Sequence, residues 1–255
     1  MNPKIDDWRG KRVWLVGASS GIGAALAQAL LQRGAQVAVS ARRAEALQAL
    51  AAGHRAARVL AFDFTDRAAF ARAQDELCAD WGGIDLVVFS AGAYAPMRAW
   101  ELDCDRIDQL IDINLRAPMA AAAHLIPLLM KQGGGALAFI ASVAGYRGLP
   151  KAAAYGPTKA ALINFAETLY LDLAPRGISV YLINPGFVAT PMTAANDFDM
   201  PALISSQQAA EEIILGFARG SFEIHFPRRF TRWLKLLRLL PYSLYFALVR
   251  RFTKA

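Results

Sequence analysis

Tyr155 and Lys159 stand four residues apart in the run Tyr155-Gly156-Pro157-Thr158-Lys159, and Ser142 lies thirteen residues before the tyrosine. In a helix, positions i and i+4 share a face. A phenol and an ammonium held there couple electrically. A tyrosine titrates near pH ~10 when unperturbed. A fixed cation beside it favours the phenolate and draws that value toward neutrality. A tyrosine tuned in this way passes a proton to or from a carbonyl or alcohol oxygen. The same spacing occurs in helices that do no chemistry, so the rest of the chain has to supply a cofactor and a substrate contact.

Short β-branched or apolar runs at residues 13–16, 36–40, 58–62, 86–90, 136–141 and 178–183 read as strands. Their near-continuous apolar character predicts burial on both faces, hence a parallel sheet. Ala- and Leu-rich stretches at 22–33, 45–51, 67–81, 107–130 and 152–174 read as helices between them. This alternation predicts an α/β fold with a doubly wound, Rossmann-type parallel sheet. A last short strand is expected at 222–226. The chain has 255 residues, 55% of them hydrophobic, which suits one domain with a sizeable core. We expect that domain over residues 1–226 and a tail over 227–255. Two cysteines, Cys78 and Cys104, make no disulfide framework and suit a reducing cytoplasm. Residues 1–11 are polar and lack an apolar core, so no signal peptide is expected.

After the first strand comes Gly17-Ala18-Ser19-Ser20-Gly21-Ile22-Gly23, which opens the first helix. Glycine allows the tight turn and lets a phosphate approach the backbone. The helix N-terminus adds free N–H groups and a positive dipole end. Strand before and helix after are the context that gives such a pattern meaning. The second strand ends in Ser40-Ala41-Arg42-Arg43. Sites for NAD usually place an acid there for the ribose 2′-hydroxyl, whereas arginine suits a 2′-phosphate. Arg42 and Arg43 therefore predict NADP(H). The bland alternative is a pair of solvated loop charges.

Taken together, these residues resemble the short-chain dehydrogenase/reductase family over about residues 10–226. The resemblance rests on Gly17-x3-Gly21-x-Gly23, Asp63, Ala91-Gly92, Asn114, Ser142, Tyr155-x3-Lys159 and Asn184-Pro185-Gly186. It implies that Tyr155 is the general acid in carbonyl reduction and the base in alcohol oxidation. It implies that Lys159 lowers the tyrosine pKa and bonds the nicotinamide ribose, that Ser142 bonds the substrate oxygen, and that Asn114 holds a water joining Lys159 to solvent. It also implies that Asp63 touches the adenine and that Thr190 contacts the carboxamide or the phosphate. Ser19, Ser20, Ile22, Ala91, Gly92, Pro185, Gly186 and Val188 complete the expected cofactor contacts, with no metal. The family often has Asn-Asn-Ala-Gly after its fourth strand; here Phe89-Ser90-Ala91-Gly92 keeps only the Ala-Gly. We read that as a change in stability. A homodimer or homotetramer is expected.

The net charge of +7 sits in the tail. Residues 221–255 carry Arg228, Arg229, Arg232, Lys235, Arg238, Arg250, Arg251 and Lys254 against the single acid Glu223. A basic segment points to an anionic partner. Over 228–240, Arg228, Arg232, Lys235 and Arg238 fall on one helical side. Phe230, Trp233, Leu234, Leu237 and Leu240 fall largely opposite, and Pro241 should break the helix. The longest uncharged stretch, 239–249, is far short of the ~20 residues that span a membrane. Two readings stand. The helix lies in the interface of an anionic membrane, with Trp233, Tyr242 and Tyr245 at headgroup level. Alternatively, its apolar face packs on the domain or on a second subunit. Nucleic acid is not expected, since binding phosphates needs no such apolar face. In this the tail looks more like membrane-associated family members acting on lipids, such as hydroxysteroid dehydrogenases and 3-ketosphinganine reductases, than like 3-oxoacyl-carrier-protein reductases.

The region 191–206, with Met192, Phe198, Met200 and Leu203, and the segment 94–100, with Met97 and Trp100, offer apolar walls to a substrate. They serve equally as loop packing. The expectation is an NADP(H)-dependent oxidoreductase that interconverts a ketone and a secondary alcohol. Its substrate would be lipid-like, met by a cytoplasmic protein peripheral to the membrane. A soluble 3-oxoacyl-thioester or small-carbonyl reductase is one alternative. A non-catalytic NADP(H)-sensing regulator is another, against which the intact Ser142, Tyr155 and Lys159 speak.

Overall fold

The computed structural model describes residues 1–194 and 199–253; Phe198 and Lys254 lie outside them. Its strands are β1 (Arg12–Val16), β2 (Gln36–Ala41), β3 (Ala57–Ala61), β4 (Leu86–Phe89), β5 (Gly135–Ile140), β6 (Ile178–Pro185), β7 (Val188–Ala189), β8 (Ile204–Ser205) and β9 (Glu223–Phe226). Seven of them form one sheet in the order β3-β2-β1-β4-β5-β6-β9. Every pairing in it is parallel. The short β7 and β8 pair apart from it. Strand order reverses between β1 and β4, and at such a switch point a crevice opens beyond the carboxyl ends of the strands.

The helices are α1 (Gly21–Gln32), α2 (Ala44–Ala51), α3 (Arg67–Trp81), α4 (Cys104–Ile111), α5 (Ala117–Lys131), α6 (Tyr155–Leu173), α7 (Ser206–Ala218), α8 (Arg228–Arg238) and α9 (Tyr242–Thr253). Successive strand residues point to opposite faces. Val13 and Leu15 therefore meet Leu26 and Leu30 of α1 and Ile213 and Phe217 of α7 in one core layer. Trp14 and Val16 meet Phe70 of α3, Leu125 of α5 and Leu162 of α6 in the other. All eight residues of β6 are buried. Each large side chain fully buried in this way contributes about 1.5–3 kcal/mol.

Several boundaries differ from the sequence expectation. The helix expected over 107–130 is divided into α4, a π-helical turn Asp112–Arg116, and α5. Polar and apolar residues alternate over that turn (Asp112-Ile113-Asn114-Leu115-Arg116), a signal too short to separate it from the apolar stretches on either side. The helix expected from residue 152 starts at Tyr155 instead, because the chain is still in turns before it. Helix α7, with the Ser205/Gln208 capping box at its start, was not anticipated.

At the other end of the chain, Asn2 is 8% exposed although polar. Its amide donates to Val180 O (2.8 Å) and accepts from Val180 N (3.3 Å). Strand β9 pairs with β6 only from Leu182 onward. Asn2 therefore serves the stretch of β6 that β9 leaves uncovered.

The tail folds as two helices broken near Pro241 and lies against the domain. Phe230 and Leu234 pack on the core, and Thr231 and Tyr245 are buried. Lys235 turns inward to the Glu223 carboxylate at 2.5 Å. This divides α8 differently from the pattern expected: Trp233 is exposed, and Lys235 leaves the basic face. Phe230 covers Gly186, where a Cβ would stand 3.1 Å from the Phe230 ring.

Candidate active site

The turn from β1 into α1 is built on close backbone approach. Gly17 has φ +95°, and a Cβ there would stand 2.2 Å from Ala91 N. A Cβ on Gly23 would stand 2.3 Å from Gly17 O. The end of β1, the start of α1 and the segment after β4 thus meet where no side chain fits. Ser20 is extended and caps nothing with its side chain, so the first turn of α1 offers its N–H groups to the crevice. Thr190 stands over Gly21 (φ +60°), where a Cβ would be 3.1 Å from its methyl group. The resulting cleft of about 600 Å³ is lined by Gly17, Ser19, Ser20, Gly21, Ile22, Arg42, Arg43, Asp63, Ala91, Gly92, Pro185, Gly186, Val188 and Thr190. A turn with no room for a Cβ at Gly17 or Gly23, beside an uncapped helix N-terminus, fits a dinucleotide pyrophosphate. Gly23 lies behind the turn and holds it.

At the end of β2 no carboxylate is present. Arg43 folds back and donates to Ser19 O (3.0 Å) and Ser19 Oγ (3.1 Å). Arg42 is exposed at the same rim. The Asp63 carboxyl is held below its ordinary range by the Thr65 N–H (2.9 Å), helped by the Thr65 hydroxyl (2.8 Å) and the Arg42 charge. Both arginines and Asp63 therefore surround one end of the cleft.

Ser142, Tyr155 and Lys159 line the other end. Ser142 lies just beyond β5 and caps a short 3-10 turn, its Oγ accepting from Ala144 N at 3.1 Å. Tyr155 opens α6, and one helical turn later Lys159 is 4% exposed. Burial pushes the Tyr155 phenol up to about 12; a hydrogen bond with Ser142 works against the rise and Tyr94 adds to it. Burial likewise lowers Lys159 to about 8. The expected depression of the phenol by Lys159 is thus absent from the chain by itself. The reason is geometric. Lys159 Nζ donates to Ile140 O at 3.0 Å and lies 5.6 Å from the centre of the Tyr155 ring.

Asn114 is buried in the π-helical turn. Its amide accepts from Ala93 N (2.9 Å) and donates to Ala93 O (2.9 Å) and Thr158 Oγ1 (3.3 Å). It therefore fixes the strand-end segment after β4 to α6. Gly92 lies between the groups: a Cβ there would be 3.2 Å from Asn114 Oδ1 and 3.7 Å from Lys159 Nζ. All four residues expected to act on protons are brought to one place.

Some participants escaped the sequence reading. Tyr94 sets its ring edge-on to Tyr155, with centroids 5.0 Å apart at 83°. Its only signal was an aromatic residue just after Ala91-Gly92. Thr158, between Tyr155 and Lys159, receives the Asn114 amide and donates to Tyr155 O at 2.8 Å. The Ile140 carbonyl that holds Lys159 has no sequence signature. Of the apolar substrate candidates, Met192 lines the cleft, while Met97 is buried and Trp100 is exposed. Among the described residues no cluster of three metal-ligating side chains occurs.

Residues 11–200 match the family model described as short chain dehydrogenase. An uncharacterized oxidoreductase of Myxococcus xanthus (strain DK1622) is 37% identical over 241 residues, 93% of this chain and 95% of that protein. A 2-dehydro-3-deoxy-L-rhamnonate dehydrogenase (NAD(+)) of Sphingomonas sp. (strain SKA58) is 32% identical, covering 72% of this chain and 75% of that protein. Among solved structures, a short-chain dehydrogenase from Sphingobium yanoikuyae in complex with NADPH is similar with a TM-score of 0.80. It is 29% identical and is covered to 92%, against 89% of this chain.

Proposed function

The chain belongs to the short-chain dehydrogenase family, and from that premise we propose an NADP(H)-dependent oxidoreductase that interconverts an apolar, lipid-like ketone and its secondary alcohol at an anionic membrane surface. The observation that carries the reaction is the contact set at the cleft: Tyr155 bonded to Ser142, with Lys159 buried beside its ring. The nicotinamide dinucleotide supplies or accepts the hydride when bound. The chain does the rest. Ser142 Oγ and Tyr155 Oη converge on one oxygen, the serine orienting it and the phenol donating the proton in reduction. In oxidation the phenol must first lose that proton, which burial opposes. Lys159 must then turn from Ile140 O toward the cleft for its charge to favour the phenolate. Asn114, next to Lys159 across Gly92, is the proposed link to solvent.

The preference for NADP(H) rests on the β2 terminus. Arg42 is exposed at the rim, Arg43 is braced on Ser19, and β2 ends without an acid to receive a ribose 2′-hydroxyl. The Sphingomonas relative carries NAD(+) in its name, so this preference separates the two chains. The lipid-like substrate rests on the tail, whose exposed side combines Trp233, Leu236, Leu239 and Tyr242 with arginines. A cytoplasmic protein peripheral to the membrane, assembled as a homodimer or homotetramer, completes the proposal.

Tyr155→Phe tests the reaction. Carbonyl reduction should fall by at least about a hundredfold, with NADPH binding, followed by its fluorescence, nearly intact. Undiminished turnover over a panel of lipid ketones would refute the assignment of the acid.

A further inference from the structure

Between Ser142 and Tyr155 the chain passes through three consecutive residues, each bonded to the C-terminal segment. Tyr146 donates to Glu223 Oε1 at 2.5 Å, and Glu223 in turn holds Lys235 of α8. Arg147 Nη1 donates to three carbonyls at the end of α8: Leu237 (3.0 Å), Arg238 (3.3 Å) and Leu240 (2.7 Å). Gly148 O accepts from Tyr245 Oη of α9 at 2.6 Å. The Arg147 guanidinium also lies over the rings of Tyr242 and Tyr245, 4.7 and 4.1 Å from their centres.

The last carbonyls of a helix lack intrahelical partners and carry the negative end of its dipole. Leu237 O also accepts from Leu240 N, and Leu240 lies just past the helix, so the single nitrogen Nη1 supplements the backbone bonds that close α8 while the guanidinium stacks on two aromatic rings. Arg147 is thus a C-terminal cap for α8 delivered from about ninety residues upstream. What it holds in return is the stretch that carries the catalytic serine and leads into the catalytic tyrosine. That stretch has little slack at its near end. Ala144 N is bonded to Ser142 Oγ, and at Gly145 a Cβ would stand 2.7 Å from the Lys159 carbonyl carbon. The backbone of Lys159 is thus met two residues before Arg147, at Gly145, and the oxygen of Ser142 three residues before it, at Ala144. On the other wall of the cleft, α8 reaches Gly186 through Phe230.

We propose that Arg147 is a positioning residue through which α8 and α9 set the placement of Ser142 and Tyr155, so that the C-terminal helices belong to the catalytic unit. This rests on the reaction proposed above.

The test uses the full chain with Arg147→Ala and Arg147→Lys. Two readouts are taken: hydrogen exchange over residues 143–154, and steady-state kinetics on a ketone that the wild-type chain reduces. Arg147→Ala should speed exchange over 143–154. It should also lower kcat for the ketone about tenfold, since small misplacements of reacting groups are costly, with NADPH affinity unchanged. Arg147→Lys keeps the charge and a donor but loses the planar group that lies over the tyrosines, and should recover part of both. Unchanged exchange in Arg147→Ala would overturn the brace. Faster exchange with unchanged kcat would overturn the positioning role and leave a purely structural cap. If the wild-type chain reduces no ketone, the reaction and the positioning role fall together, while exchange still decides the brace.

Discussion

At the scale of single residues, burial governs Tyr155 and Lys159, the pair proposed to act on protons, more than mutual attraction does. Lys159 gives up its proton near pH 8 in the folded chain, against 10.5 for the ordinary side chain. A lowered value for a base means that the ammonium is the costly form. It costs stability below about pH 8, and the cost fades as pH rises toward 10.5. Lys159→Met should therefore raise the melting temperature more at about pH 7 than at about pH 9.5, while abolishing turnover. An equal shift at both pH values would mean that the lysine does not titrate in that window. The residue types and their order were legible in the sequence, because side-chain chemistry and spacing are local properties. Their electrostatic state was not. It depends on the Ile140 carbonyl, on Ser142 and on Tyr94, whose contacts follow from how strands end in space.

At the scale of elements, the β1–α1 turn was legible because glycines and strand-to-helix order are written in consecutive residues. The end of β2 was equally so, and its arginines yield a sharp expectation. Arg42→Ala should weaken NADPH by about tenfold or more, as expected for a lost charge-assisted bond to phosphate, and NADH hardly at all. Equal losses in a titration of both would remove the 2′-phosphate assignment. Less legible were the π-helical turn at Asp112–Arg116 and the start of α6 at Tyr155. Neither carries a local signal long enough to mark a boundary. The turn is defined by which carbonyl an N–H reaches, and its consequence is the inward aim of Asn114. The inward turn of Lys235 was hidden for a related reason. Helical spacing alone puts it among the basic residues, and only Glu223, at the start of β9, draws it in.

At the scale of the whole molecule, the docked tail leaves a definite outer side. Trp233 is 68% exposed and Leu239 80%, with Leu236 and Tyr242 between and beyond them. Arg229, Arg232 and Arg238 are exposed alongside. On the membrane-surface proposal, this side is the one that meets anionic headgroups. The full chain should float with vesicles of mixed phosphatidylserine and phosphatidylcholine, and less as salt is added. Combined Trp233→Ser, Leu236→Ser and Leu239→Ser, all at exposed positions, should abolish flotation with the fold intact. Equal flotation of variant and wild type, or none by either, would exclude this face as a lipid contact. The far edge of the sheet poses the opposite problem, that of attracting a partner no one wants. An uncovered stretch of strand offers unpaired N–H and C=O groups on which a second chain can grow, the first step of edge-to-edge aggregation. At Val180 both groups are already taken by the Asn2 amide. One side chain from the opposite end of the polypeptide thus works as a stopper for the sheet.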